Sequence, residues 1–288
     1  MAETGKQIQW FPGHMAKTRR KIGESLSLVD AAVEILDART PLSSRNPELN
    51  DILKDKPSLI LLNKCDVADP EITDEWISYF KEKGIVAVAV DCKSGNGLKS
   101  FSAAVKNLLS QKIEAAKKKG INKALRLMVV GIPNVGKSSF INRLGDKHAK
   151  VEDRPGVTRG NQWFSTKDNF LLLDTPGVLW PKFEDEEVAL RLAMTGAVKD
   201  SILDIEFIAV KLIEFLVSNS DYKAMLEERY KLEIHEEYED SYDILCNIGA
   251  KRGMKARGGD TDTLRAAIML VDEFRGGKIG RISLERPC

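Results

Sequence analysis

Three short stretches of this chain carry residue types that can bind a nucleotide and act on its phosphates. Gly131-Ile-Pro-Asn-Val-Gly136-Lys137-Ser138 has the spacing G-x-x-x-x-G-K-S. Glycines at those positions let backbone N–H groups converge on phosphate oxygens, the helix that follows presents its positive end, the lysine supplies a point charge and the serine can ligate magnesium. Nucleotide contacts are therefore expected from Gly131, Asn134, Val135, Gly136, Lys137, Ser138 and Ser139. Asp174-Thr-Pro-Gly177 offers a carboxylate able to hold magnesium through water and a glycine whose N–H can turn toward a γ-phosphate. Asn63-Lys64-Cys65-Asp66 offers a second carboxylate, and Asp66 can accept from the N1 and N2 donors of guanine. Adenine lacks that donor pair, and a carboxylate left unpaired against it would be costly. A polar strand exit with Asp66 capping the next helix is the alternative.

The elements around these stretches fit the chemistry. Apolar runs bounded by turn residues at 31–38, 58–64, 85–90 and 125–131 read as buried parallel strands. Helical patterns separate them, including one through Trp76 and Phe80 and a single long one from Leu98 to Lys119 that stops at Gly120. A helix through Phe140 and Leu144 follows the glycine loop, and two β-rich runs around Lys167 and Asp168 read as a hairpin. Beyond about Pro181 only helical periods remain, at 186–198, 203–217, 221–232, 240–252 and 261–275. The expectation is an α/β domain over 1–180, mostly parallel sheet with helices on both faces, then a smaller all-α domain over 181–288.

Composition narrows the setting. The chain has 288 residues and a formal charge of only +1, yet the charge is unevenly spread. Residues 221–243 carry nine acids against three bases, whereas 250–288 carry nine bases against five acids. Such asymmetry suggests a polyanion partner, with ordinary solvated helix faces as the bland alternative. Cys65, Cys92, Cys246 and Cys288 show no metal or disulfide spacing, which points to a reducing compartment. No apolar run approaches the roughly 18 residues that span a bilayer, and no signal-peptide core precedes Met15. A cytoplasmic protein with no membrane partner is expected.

Taken together, GIPNVGKS, PGVT at 155–158, DTPG, NKCD and Asp91-Cys92-Lys93 resemble the guanine-nucleotide motifs of Ras-type GTPases. Their order differs, because NKCD and DCK precede the glycine loop. That is a circular permutation, so the residues before Gly131 supply the guanine-reading half of one domain, which is tolerated when the original termini lie close together at the surface. With WFPGHMAKT at 10–18, DART at 37–40 and the helical C-terminal half, the chain is similar over its whole length to the YlqF/RbgA family of ribosome biogenesis GTPases.

The resemblance implies a circularly permuted P-loop fold and GTP hydrolysis to GDP and phosphate, stimulated by the large ribosomal subunit or its precursor. It also implies ribosomal RNA as a partner and GTP or GDP with Mg2+ as ligands. Lys137, Gly177 and Thr158 would act on the transferring phosphate, with Ser138, Thr158 and Asp174 on magnesium; Thr158 can also be an ordinary threonine of a Gly/Pro loop. Asn63, Lys64, Asp66, Asp91, Cys92 and Lys93 would surround the base, with the Cys92 N–H directed to guanine O6.

Val178 stands where Ras-type enzymes place a water-orienting glutamine, and an aliphatic side chain cannot do that work, so a low intrinsic rate is expected. The resemblance suggests His14 in that role; a helix-capping or phosphate-contacting histidine is the competing reading. It likewise suggests K+ on Asn134, which otherwise merely suits a loop conformation. In the C-terminal half, Lys251, Arg252, Lys255, Arg257, Arg275, Lys278 and Arg281 are the expected RNA contacts, joined by Arg265 and Arg286. A monomer is expected. An ATP-dependent enzyme and a non-hydrolysing RNA-binding module with a structural nucleotide site are the competing functions.

Overall fold

The computed structural model describes residues 15–121, 123–145, 162–180, 185–235, 239–256 and 258–287. His14, Thr158 and Arg257 lie outside these residues.

Among the described residues six strands form one sheet: β1 (Ala31–Asp37), β2 (Ser58–Asn63), β3 (Val86–Val90), β4 (Leu125–Val130), β5 (Gln162–Ser165) and β6 (Phe170–Asp174). Their order across the sheet is β3-β2-β1-β4-β6-β5. All neighbours are parallel except the β5–β6 hairpin at the edge, which turns through Asn169 at φ +63°. The two halves of the permuted sequence meet where β1 lies parallel to β4, Ala31 opposite Leu127. From β1 the chain steps outward one way and from β4 it steps the other way. The seam is therefore the switch point of the sheet, outside whose carboxyl ends ligands of such folds bind.

Side chains alternate across a strand, and the two faces bury different partners. Val33, Ile35, Leu127 and Val129 pack with Phe101 and Val105 of α4 (Leu98–Leu108) and Phe140 of α6 (Lys137–Leu144). On the other face Ala32, Met128 and Val130 meet Ile22 of α1 (Met15–Ser25) and Leu49 of α2 (Pro47–Leu53). Leu36, Ile60 and Leu62 meet Trp76 and Phe80 of α3 (Pro70–Glu82).

The long helix expected over 98–119 is two helices. Leu109 leaves helical geometry at φ −105°, ψ 17° and buries its side chain in the sheet core, while α5 (Ser110–Lys118) carries its lysines outward. Helix α2 is too short to show a helical period; its cues are the Asn46 cap and Pro47 at the first position.

Among the described residues five further α-helices, α7 (Glu186–Thr195), α8 (Ile205–Val217), α9 (Ser220–Tyr230), α10 (Ser241–Lys251) and α11 (Thr263–Arg275), enclose a second apolar core. Each has an Asp or Asn cap whose side chain accepts from first-turn amides, as Asp262 does from Arg265 N. Helix α7 belongs to both cores, since Leu192 packs with the sheet and Ala193 with the helices. After α11 the chain returns to the sheet: Ile282 N donates to Val67 O at 3.0 Å and Leu284 N to Arg39 O at 2.8 Å.

Candidate functional site

The glycine loop joins β4 to α6 with backbone geometry that side chains would block. Gly131 has φ +147°, and a Cβ there would come within 2.5 Å of Ile35 O; Gly136 has φ +103°, and a Cβ would run into Asn63 Nδ2. Asn134 also adopts a left-handed φ of +60°. Lys137 is buried, with Nζ donating to Ile132 O at 2.7 Å. Burial lowers its pKa to about 8 against the raising influence of Asp174. At the end of β6 the Asp174 carboxyl is pushed upward by burial, opposed by Lys137. Gly177 closes this side: a Cβ there would lie 2.8 Å from Pro133 N and 2.9 Å from Lys137 Nζ. The loop, Lys137, Asp174 and Gly177 thus meet at one place, where Lys137 is buried, Asp174 half-buried and Ser138 and Gly177 exposed. Such a place suits an anion and a cation arriving together.

The residue after Gly177 does something else. Val178 N donates to Gly131 O at 3.3 Å and Val178 O accepts from Asn46 Nδ2 at 2.9 Å. Its side chain is 3% exposed, packed in the apolar cluster that holds Ile22 and Leu49. It points into the core.

On the opposite side of the seam, Asn63 is the central tie. Its Nδ2 donates to Val135 O of the glycine loop at 2.7 Å, and its Oδ1 accepts from Cys92 N at 3.1 Å. One buried amide at the end of β2 thereby joins three loops. This corrects the expectation for Cys92, whose N–H is engaged by Asn63 rather than directed to guanine O6. The Asp91 side chain is also spent locally, accepting from Lys93 N at 2.8 Å and Ser94 N at 3.1 Å. Burial works to raise its pKa, but hydrogen bonding from the Ser94 side chain and then from these two amides outweighs burial and holds it low. The causes differ: Asp91, two and three residues before available amides, closes on its own turn, whereas the Cys92 N–H is taken by a partner 29 residues away. The Cys92 thiol is pushed up to about 12 by burial and then by Asp91, so it is no nucleophile near neutrality.

Lys64, at φ +64°, sends Nζ to Asp37 Oδ2 at 2.9 Å. Asp37 also takes both arms of Arg39, at 2.9 and 2.8 Å. Burial works to raise the Asp37 pKa, but Arg39 and then Lys64 dominate and hold the carboxyl well below the usual range. The Asp37–Arg39 pair was visible in the sequence only as DART, with no role attached. Asp66 stands exposed at the tip of the loop so fixed. A cavity of about 740 Å³ lies between Cys92 and Lys93 on one side and Ser139 and Arg143 on the other. Its size is that of small-ligand sites.

Among the described residues no group of three or more His, Cys, Asp or Glu gathers as a metal site. A hydroxyl and one carboxylate, Ser138 and Asp174, suit magnesium, which keeps water and phosphate oxygens in its shell. The Asn134 Nδ2 is committed to Gly196 O at 2.7 Å, so any cation contact there falls to Oδ1.

The expected RNA face divides. Lys251, Lys255 and Lys278 are exposed. Arg275 instead ties α11 to α7, donating to Met194 O at 3.0 Å, Ala193 O at 2.8 Å and Asp200 at 2.7 Å. Arg281 donates to Ala68 O at 2.8 Å and Cys65 O at 2.7 Å. Arg252 lies over the Tyr230 ring at 5.2 Å and 3.7 Å from Glu273. Arg275, Arg281 and Arg252 thus have partners within the fold while the three lysines do not share them, a distinction that charge counting cannot make.

A sequence-family profile described as "50S ribosome-binding GTPase" matches residues 126–247. The chain is 48% identical to ribosome biogenesis GTPase A of Bacillus cereus, covering 97% of this chain and 94% of that one. It is 30% identical to the Thermotoga maritima protein of the same name, over 97% and 95%. GNP-bound YlqF from Thermotoga maritima superposes with a TM-score of 0.65 at 28% identity, covering 94% of this chain and 98% of that chain. The GDP-bound form gives 0.63.

Proposed function

The chain belongs to the ribosome biogenesis GTPase A family, and on that premise we propose that it hydrolyses GTP while docked on the large ribosomal subunit or its precursor, with ribosomal RNA as the contacted polymer. GTP hydrolysis in ribosome assembly is the activity of the family; the particle and the residue roles are our reading. The observation that carries it is the Asn63 amide, which joins the purine-side loop to Val135 of the phosphate loop across the permuted order.

In this reading Asp66 receives the guanine N1 and N2 donors, and Lys64 is held in place by Asp37. Lys137 and the amides from Gly131 to Ser139 hold the phosphates, and Gly177 lets the 174–177 segment approach them closely. Ser138 and Asp174 would hold magnesium, which when bound supplies charge neutralisation between the phosphates. Potassium would rest on Asn134 Oδ1. His14 and Thr158 remain the proposed water-orienting and magnesium groups. The protein would work as a monomer in the cytoplasm; among the described residues no helix is long and apolar enough to cross a membrane.

The burial of Val178 favours slow turnover by the isolated protein, with assistance from the docked particle. Purified large subunits should raise GTP turnover well above the free rate. Equal turnover with and without particles would remove the stimulated GTPase reading, and no turnover in either case would favour the non-hydrolysing module.

A further inference from the structure

The chain after α11 packs on the loop that reads the base. Arg281 Nε and Nη2 donate to Ala68 O and Cys65 O, Ile282 N donates to Val67 O, and Ser283 Oγ accepts from Asp69 N at 3.1 Å. Four residues of the turn that begins with Asp66's neighbour Cys65 are therefore held by three consecutive tail residues. The next two hold the segment after β1: Leu284 N donates to Arg39 O, and the Glu285 carboxylate accepts from Ser43 N at 3.1 Å. Glu285 O in turn accepts from Trp76 Nε1 of α3 at 3.2 Å. Ile282 and Leu284 are buried, and the Arg39 guanidinium lies 5.3 Å from the ring of Phe274 in α11. The tail keeps Ile282 and Leu284 in the helical core while its backbone docks against the same Arg39 that fixes Asp37 and, through it, Lys64.

Within the reading that Asp66 recognises guanine, we infer that residues 281–285 form a strap that holds the Asn63–Asp66 loop in its base-reading shape, with Arg281 as the positioning residue. The physical reasoning is direct. An exposed aspartate can discriminate two donors only if its backbone is fixed to a fraction of an ångström. The ties that fix it fall on its neighbours: Lys64 is held from the β1 side, and Cys65, Val67 and Ala68 from the tail. Arg281 is suited to the task because its planar fork satisfies two carbonyls of one turn at once, which a lysine ammonium on a flexible stem does less well. Coupling is reciprocal: whatever strengthens guanine binding through the strap must also hold the strap more firmly.

The test compares affinity for GDP and for inosine diphosphate, which lacks the 2-amino donor, by calorimetry on the full chain. Wild type should prefer GDP. Arg281→Ala should shrink that preference by about fivefold or more, the lower end of usual coupling between sites, and Arg281→Lys should recover part of it. A general weakening of the fold would lower both affinities together and leave the ratio alone. Hydrogen exchange gives a second reading that needs no variant: saturating GDP should slow exchange at the Ile282 and Leu284 amides. A wild-type preference that survives Arg281→Ala unchanged, or tail amides indifferent to GDP, overturns the strap. Wild type binding both nucleotides equally overturns the guanine reading itself, and this inference with it.

Discussion

The two sides of the nucleotide crevice are built on opposite electrostatic plans. On the base side every buried polar group of Asn63 is paired, and Asp37 has two cations against it. On the phosphate side Lys137 and Asp174 are both pushed by burial toward their neutral forms, and each is the main opposing charge for the other. On the first side the Asn63 amide and the Asp37 carboxylate have their partners without ligand. The second carries charges whose desolvation is only partly offset, so an anion with its cation has more to gain there. On the proposed reading recognition and grip would be separated, the base side supplying shape and the phosphate side most of the binding energy.

If that difference is real, substitutions on the two sides should separate affinity from stability. Lys137→Ala should give the largest effect, weakening GTP by about a hundredfold or more, on the scale of removing a charge-assisted hydrogen bond from a poorly solvated site. Its melting temperature should hold or rise, since a buried ammonium with a lowered pKa is removed. A large fall in melting temperature would place Lys137 among the stabilising residues and erase the contrast.

Asn63→Ala should behave in the reverse sense. It leaves Val135 O and Cys92 N without their buried partner, at about 1–3 kcal/mol for each group so stranded. Stability and guanine affinity should fall together, the latter by roughly tenfold or more. A drop in affinity with unchanged stability would make Asn63 a ligand-binding group rather than a tie between loops.

The same contrast predicts a pH dependence confined to the phosphate side. Lys137 has a pKa of about 8 before ligand arrives, and a bound phosphate favours its charged form and raises that value. The charged form is the one that binds, so GDP affinity should be flat below about pH 8 and fall as pH rises through it. The steepest slope is about tenfold per unit for one proton. Titration calorimetry in buffers of different ionisation heat should register proton uptake on binding near pH 8. No uptake there would mean that Lys137 does not meet the phosphates.

Much of this was legible in the chain, and what was not has specific causes. The four parallel strands, the hairpin and the five C-terminal helices follow from apolar runs, helical periods and Asp or Asn caps, which are local signals. The phosphate loop was legible because its glycines sit where Cβ atoms would clash. The roles of Cys92, Asp91, Arg275 and Arg281 were not, because each depends on a partner many residues away or on which local amide a carboxylate reaches first. Charge counting placed Arg275 and Arg281 on an RNA face without information about carbonyls of α7 and of the loop after β2. The tail from Arg281 to Glu285 has no periodicity at all, so nothing in its pattern announced that it packs against Val67 and Arg39.

Val178 provides the finest test of the comparison, because it lies at the edge of the phosphate side yet is built like the base side. Its N–H, its carbonyl and its side chain are all committed, to Gly131, to Asn46 and to the apolar cluster under α1 and α2. Replacing it with the glutamine found in Ras-type enzymes should therefore not install their chemistry. The amide would have to enter an apolar cluster, at about 1–3 kcal/mol in mutational terms, or force the 174–178 segment to move. Intrinsic GTP turnover of Val178→Gln should stay within about twofold of wild type while the melting temperature falls, since the polar group is buried away from the γ-phosphate. A marked rise in intrinsic turnover would mean that this position can swing out to the water, and that the phosphate side is less firmly built than its backbone ties imply.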